Sequence, residues 1–372
     1  MSGAPSELLR RFPEVAVEFP RIPLGQWPTP VTALPRLATA IGVGSLAAKR
    51  EDQSSAVYGG NKVRKLELAL GAAREAGAAE VVSFGAAGSN HALATAIFAT
   101  RLGMRVTTFM TPQPPSHHVR HNLLGHVALG ARVMPCEDGA AARDAAAAYV
   151  ADEAVRTGLA PHVIPMGGTD ALTTLGSLGA GMELAAQVAD GATERPDVVY
   201  VPFGSMGTAV GLMLGMAAAG LTPEVLAVRV TPSAIANEEG AWRLADETLA
   251  LLARAVPSFP EAAARRARLT VADAYFGEGY GVFSPEGRHA TRLMRDMEGL
   301  ALEGTYTAKT IAALIADAES GALSGRRVLY WHTYNAVDLT PLIAGADYRT
   351  LPEAFHAYFT SPVQPLDEEA GA

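Results

Sequence analysis

The sequence predicts an α/β protein of two domains, each a mainly parallel twisted sheet flanked by helices. Three observations lead there. Short β-branched runs alternate along the chain with longer Ala- and Leu-rich segments of helical period, the pattern of parallel strands covered by helices. The chain has 372 residues, 49% of them hydrophobic and 18% charged, which is apolar material for more than one core. Small-residue turns also recur between a strand-like run and a helix-like one, where open α/β sheets bind their ligands.

The elements follow in order. Pro20, Pro23, Pro28 and Pro30 make an extended entry. Strands are expected at residues 81–84, 106–110, 132–134 and 162–165, then at 198–202, 225–230 and 328–331. Helices are expected at 64–76, 92–102, 119–129, 140–157, 172–188, 208–219 and 284–298. Alanine dominates 140–151, but Asp144 and Tyr149 interrupt it at helical spacing, and alanine is the strongest helix former, so a packing helix is expected there. Residues 366–372 are small and acidic and are expected to fray. The expected division is a large domain of 1–65 and 174–372, with a small domain, 66–173, inserted into it.

Composition excludes several classes. A net charge of −8 argues against nucleic acid or an anionic membrane as partner, since either needs a basic face. Cys136 is the only cysteine, so no intrachain disulfide is possible. Residues 1–12 hold Arg10 and Arg11 but not the apolar run of a signal peptide, and no run of about 18 uncharged apolar residues occurs, so the expected compartment is the cytoplasm.

Four clusters could carry chemistry. In Gly59-Gly60-Asn61-Lys62, two glycines allow a tight backbone approach just before a helix, delivering a lysine. Alone, such a lysine is more often a solvated helix-start residue. Gly85-Ala86-Ala87-Gly88-Ser89-Asn90-His91 joins a strand to a helix, and its N–H groups suit a carboxylate; the plainer reading is an N-cap by Ser89 or Asn90. Gly204-Ser205-Met206-Gly207-Thr208 repeats the arrangement and would cradle a phosphate, with no Lys-Ser or Lys-Thr pair to make it a Walker loop. Tyr330-Trp331-His332-Thr333-Tyr334-Asn335 ends the last strand, where a hydroxyl can reach a ligand; alone, Thr333 reads as a turn residue.

Together these clusters resemble the fold type II pyridoxal-phosphate enzymes, and most closely the 1-aminocyclopropane-1-carboxylate deaminase and D-cysteine desulfhydrase family. Lys49-Arg50-Glu51-Asp52, then Gly-Gly-Asn-Lys at 59–62 followed by Arg64-Lys65-Leu66-Glu67, then Ser89-Asn90-His91 are similar to its N-terminal signatures, in order. Asn122-Leu123-Leu124, Ile164-Pro165-Met166-Gly167-Gly168, Tyr306-Thr307-Ala308-Lys309 and His332-Thr333 resemble its later segments, so the likeness spans most of the chain.

The resemblance implies pyridoxal 5'-phosphate in an interdomain cleft, held as a Schiff base on Lys62, which then moves the proton at the substrate α-carbon. It implies Asn90 on the ring hydroxyl, a phosphate site at Gly204, Ser205, Met206, Gly207 and Thr208, and Thr333 at the ring nitrogen. Ser89, Asn90 and His91 would receive the substrate, with Tyr334 on the rim. Ser89 and the two tyrosines Tyr280 and Tyr306 would join Lys62 in catalysis, the phenols as donors near the leaving group; either could equally be a packed aromatic.

The ring-opening branch carries a glutamate directly after its tyrosine, where this chain has Thr307, and Gln where it has His91. Both differences lean toward an ammonia-forming lyase that performs α,β-elimination on a small amino acid and yields a keto acid. Ring opening, racemisation and β-replacement are the alternatives that keep the cofactor, and a binding protein with a decayed site is the alternative that loses it. Met206, Tyr334-Asn335 and Leu93-Ala94 depart from the family pattern and point to a changed substrate. The resemblance also implies a homodimer.

Other signals carry less. His117, His118, His121 and His126 cluster where helical spacing could bring His117 and His121 to one face, but no cysteine or carboxylate pair completes a metal site, so none is expected. Cys136 is expected to be a buried small residue, and Glu238-Glu239 a solvated helix start.

Overall fold

The structure, a computed structural model, describes residues 4–367. Residues 1–3 and 368–372, the latter most of the segment expected to fray, lie outside the described residues. Its strands are β1 (Val31–Ala33), β2 (Ser45–Arg50), β3 (Glu80–Ala86), β4 (Arg105–Thr111), β5 (Arg132–Pro135), β6 (His162–Val163), β7 (Val198–Phe203), β8 (Glu224–Arg229), β9 (Arg268–Ala272) and β10 (Arg327–His332). The longer helices are α1 (Lys62–Glu75), α2 (Asn90–Arg101), α3 (His117–Ala128), α4 (Gly139–Thr157), α5 (Ala171–Ala189), α6 (Gly207–Ala218), α7 (Glu238–Ala255), α8 (Pro285–Leu293) and α9 (Thr307–Glu319).

The chain divides into two compact units: residues up to Leu68 together with Thr169–Val337, and Ala69–Gly168 together with the segment from Asp338 onward. In the first, the strand order is β1-β2-β10-β7-β8-β9, with β1 antiparallel to β2 and every other pair parallel. Strand β7 shows why both faces are covered. Val199, Val201 and Phe203 pack with α5, α6 and α7, while Val198 and Tyr200, on the other face, pack with α8 and α9.

Helices α5 and α6 meet backbone to backbone. A Cβ on Gly215 would stand 1.9 Å from the Leu178 carbonyl oxygen, and one on Gly181 2.4 Å from that of Leu212. This close approach fixes where α6 begins, and so where Gly204–Gly207 lie.

In the second unit all strands run parallel, in the order β5-β4-β3-β6. Val82, Phe84 and Phe109 pack against Ala142 and Ala146 of α4, while Ala92, Met110, Val119, Leu123 and Val133 form a second core. The chain from Asp338 adds Leu351 and Phe355 to that core, and Arg120 of α3 donates to the carbonyls of Tyr358 and Ser361, each at 2.7 Å.

Three expectations need correction. The strand at 162–165 is only His162–Val163, because Met166–Gly168 turns as a 3-10 segment with Gly167 left-handed. The helix at 284–298 changes to a π turn, Met294–Glu298, closed by left-handed Gly299. Cys136 is half-buried, its thiol contacting the Met134 carbonyl at 3.7 Å. Glu238 and Glu239 do begin a helix and are exposed. Among the described residues no helix is long and apolar enough to cross a membrane, and no group of three or more His, Cys, Asp or Glu is arranged to hold a metal.

Candidate active site

Lys62 opens α1, and the loop before it is clamped on every side. The Gly59 N–H donates to Asn335 Oδ1 at 2.7 Å, the Gly60 N–H to the Glu51 carbonyl at 2.7 Å, and the Asn61 N–H to the Thr333 carbonyl at 3.3 Å. Gly60 has φ 97°, and a Cβ there would meet the Thr333 carbonyl oxygen at 2.8 Å, so only glycine serves. The side chain of Asn335 thus holds the lysine loop in place.

The chain contains four lysines, Lys49, Lys62, Lys65 and Lys309. Lys49 Nζ is held by Glu183, Gln187 and the Thr29 carbonyl. Lys65 Nζ donates to Thr169 Oγ1 at 2.7 Å, and Lys309 Nζ to the carbonyls of Phe276 and Gly279 at 2.6 and 3.0 Å. Among the described residues, Lys62 alone of the four has no acceptor on its amine. Burial lowers its pKa to about 8, which leaves a useful fraction as the nucleophilic free amine at neutral pH.

The turn after β7 faces the same region. Met206 has φ 67° and ψ −39°, a backbone conformation that residues with side chains rarely adopt, and α6 starts at Gly207. Around this helix start stand the hydroxyls of Ser205 and Thr169, 2.7 Å apart, and that of Thr208, which accepts from Asn61 Nδ2 at 2.8 Å. A Cβ on Gly207 would meet Lys65 Nζ at 2.8 Å. Burial, then the nearby Lys62, lower the Lys65 pKa well below the usual value. N–H groups at a helix start, hydroxyls and a buried lysine amine make a pocket for an anion.

Tyr306 leans on this turn, its ring 3.2 Å from where a Cβ of Gly204 would be. Its hydroxyl is 2.5 Å from that of Tyr280, with the rings edge-on. Tyr58 is buried, and Tyr280, Tyr306 and Tyr334 are half-buried; burial pushes all four phenols up, Tyr280 to about 12. His332 hydrogen-bonds Tyr330 through Nδ1 at 3.0 Å, and burial holds its imidazole at about 4, hence neutral.

In the second unit Ser89 caps α2, accepting from the Ala92 N–H at 3.2 Å. The Gly88 N–H donates to Gln113, while its carbonyl accepts from Asn122 at 2.9 Å, and Asn122 also reaches Asn90 Oδ1 at 3.4 Å. His91 is buried, its ring against Gly168. Burial takes His118 and His126 to about 4, so both are neutral members of the α3 packing.

The structure thus groups Lys62, Gly204, Ser205, Met206, Gly207, Thr208, Tyr280, Tyr306, Thr333 and Tyr334 in one unit, and Ser89, Asn90 and His91 in the other. Sequence reasoning quoted Asn61, Lys65 and Asn335 without assigning them a role and passed over Thr169. Lys65 had a signal, because three residues after Lys62 it shares that helix face; Thr169 had none, since 104 residues separate it from Lys65.

A profile of the pyridoxal-phosphate dependent enzymes matches residues 22–333. The chain belongs to that family. It is 37% identical, over 85% of its length and 92% of the relative's, to a nocardicin C-9' epimerase of Nocardia uniformis subsp. tsuyamanensis. It is 33% identical, over 80% of its length and 88% of the relative's, to a D-cysteine desulfhydrase of Klebsiella pneumoniae (strain 342). A crystal structure of an ACC deaminase homologue superimposes with a TM-score of 0.73 at 27% identity, covering 92% of this chain and 99% of that one. A serine racemase from Dictyostelium discoideum, at 18% identity and a TM-score of 0.55, shares the fold. The fold is that of the fold type II enzymes, and the cofactor is pyridoxal phosphate.

The residues present fit that cofactor. The anion pocket at Gly204–Thr208 and Lys65 suits its phosphate, and an amine without an acceptor, close to Lys65, suits its aldehyde.

Proposed function

We propose that this enzyme is an ammonia-forming lyase that performs α,β-elimination on a small amino acid, of the D-cysteine desulfhydrase type. The observation that carries the reading is the pairing, within one unit, of a low-pKa lysine free of acceptors with a hydrogen-bonded pair of phenols. When bound, the cofactor supplies the electron sink that acidifies the α-carbon.

The protein's residues do the rest. Lys62 Nζ takes the α-proton. The bond from the β-carbon to the leaving group breaks with its electron pair, and a phenol O–H of Tyr280 or Tyr306 gives that group its proton. Gly204, Ser205, Met206, Gly207 and Thr208 would hold the phosphate, with Lys65 nearby. Thr333 would serve the ring nitrogen and Asn90 the ring hydroxyl. Ser89 and His91 would receive the substrate carboxylate, and Tyr334 would shape the rim. In this reading the Lys62 unit is the large cofactor-binding domain, the other is the small domain, and the enzyme works as a cytoplasmic homodimer.

Epimerisation is the second reading, favoured by the 37% identity to an epimerase. It needs the same α-proton removal, but the proton returns to carbon and no leaving group departs. Incubating the loaded enzyme in D2O with D- and L-cysteine, serine and β-chloroalanine separates the two. Keto acid and ammonia in equal amounts support elimination; deuterium at the α-carbon with inversion and no keto acid overturns it in favour of epimerisation.

A further inference from the structure

We infer that Glu303 and Lys309 are positioning residues that hold Tyr306, at the N-cap of α9, and Tyr280, on the segment that Lys309 ties to that helix, as a pair. The catalytic consequence rests on the proposed reading, and the structural content on geometry alone.

Glu303 precedes α9 and is 5% exposed. Its Oε1 accepts from the N–H groups of Tyr306 at 2.7 Å and Thr307 at 2.8 Å, and its Oε2 from that of Thr305 at 2.9 Å. In return, Thr307 Oγ1 accepts from the Glu303 N–H at 2.8 Å. The carboxylate thus grips three successive N–H groups centred on Tyr306, which fixes the point from which that ring projects.

Lys309 stands three residues further on and is fully buried. No carboxylate pairs with it among the hydrogen bonds it makes; its ammonium is spent on the carbonyls of Phe276 and Gly279, the latter directly before Tyr280. Phe276 itself lies near two cations, with Lys309 Nζ 5.4 Å and Arg229 Cζ 5.3 Å from its ring centroid, and Arg229 is paired with Asp273. The segment carrying Tyr280 is therefore tied to the helix that carries Tyr306.

The arrangement has a chemical consequence. Two phenols bring two O–H protons, and one is used between them, so one remains for an acceptor outside the pair. Burial and the nearby Glu303 charge raise both phenols, which keeps that proton in place until an acceptor of sufficient basicity arrives. A hydrogen bond this short tolerates little displacement of either ring, so the supporting shell decides whether the pair exists.

The test is carbon NMR of the full-length chain with tyrosine labelled at Cζ. Y280F and Y306F assign the two resonances and measure how far each shifts when its partner is lost. In E303Q and K309M that reciprocal shift should disappear, and K309R should restore part of it. In turnover, K309M should lose tenfold or more in kcat with KM little changed, and Y280F/K309M should be no slower than Y280F alone. Should E303Q fail to fold, E303D, shorter by one methylene, is read in its place. Persistence of the reciprocal shift in both variants, or multiplication of the Y280F and K309M losses, overturns the inference. Because the resonances are read without substrate, an intact NMR result with fully active Y280F and Y306F would instead overturn the role of the phenols in the reaction.

Discussion

Met206 stands at φ 67°, a conformation that costs a residue with a side chain on the order of 1 kcal/mol. Its thioether lies over α7, where a Cβ on Gly240 would come within 3.1 Å of the sulfur. The substituted turn and the bare helix position are thus coupled. G240A should be less favourable to stability beside Met206 than in an M206G background, where the gain in helix propensity stands unopposed, as a double-mutant cycle by denaturant unfolding would read. The sequence marked Met206 as anomalous; its partner 34 residues on was not legible, because nothing local joins them.

Lys62, by contrast, was legible from Gly-Gly-Asn-Lys and the clusters that follow it. Its amine, depressed to about 8 by burial, gains its free form as pH rises through that value. The rate at which the apo-chain captures pyridoxal phosphate should therefore climb between about pH 7 and 8 and level above 9, as a stopped-flow pH series would show. A rate still climbing toward 10.5, the ordinary lysine value, would mean an unperturbed amine.

At the scale of elements, the first turn of α1 is set by a buried ion network. Arg64 donates to Glu51 at 2.7 and 2.8 Å and to Glu183 at 2.9 and 3.1 Å, and its guanidinium lies 3.8 Å from the Trp27 ring centroid. Lys49 reaches the same Glu183 at 2.5 Å. E183Q would leave two buried cations undercompensated, and a loss of about 3–5 kcal/mol is expected.

The pH sign follows from the same carboxylate. Burial opposes its charge, but Arg64 and Lys49 outweigh burial and hold its pKa at about 2, against 4.5 unperturbed. The stability it contributes is complete above about pH 4.5 and is lost as pH falls toward 2. Acid unfolding should be shallower in E183Q over that window. Helix packing gives a second check: G215A would drive a methyl into the Leu178 carbonyl, and a fall in Tm is expected, equivalent to about 1–3 kcal/mol.

This network also explains what the element reading missed. Strand β2 is Ser-Leu-Ala-Ala-Lys-Arg, and its Lys49 does not read as a buried residue until Glu183, 134 residues away, neutralises it. Strand β9 is a half-exposed edge with a weak pattern. The elements that were legible are those whose period and caps are local, such as α2 under Ser89 and β7 with its fully buried run.

For the whole molecule, the alternation of strand and helix was enough to predict the α/β class, because each strand-helix unit is written in contiguous residues. The return of the chain after Asp338 to the second unit had no such cue; it depends on Arg120 and on Leu351 and Phe355 meeting α3. The site was legible where motifs carry it and silent where single distant residues support it.

The same scale offers the sharpest test. All four lysines of the chain are buried or half-buried, so no exposed lysine competes for an aldehyde. The measurement is borohydride reduction of the chain loaded with pyridoxal phosphate, followed by peptide mapping. One stable pyridoxyl-phosphate adduct is expected, on Lys62, and none in K62A. An adduct on Lys65 or Lys309 in the parent chain, or no adduct at all, would contradict the assignment of Lys62 as the cofactor's lysine.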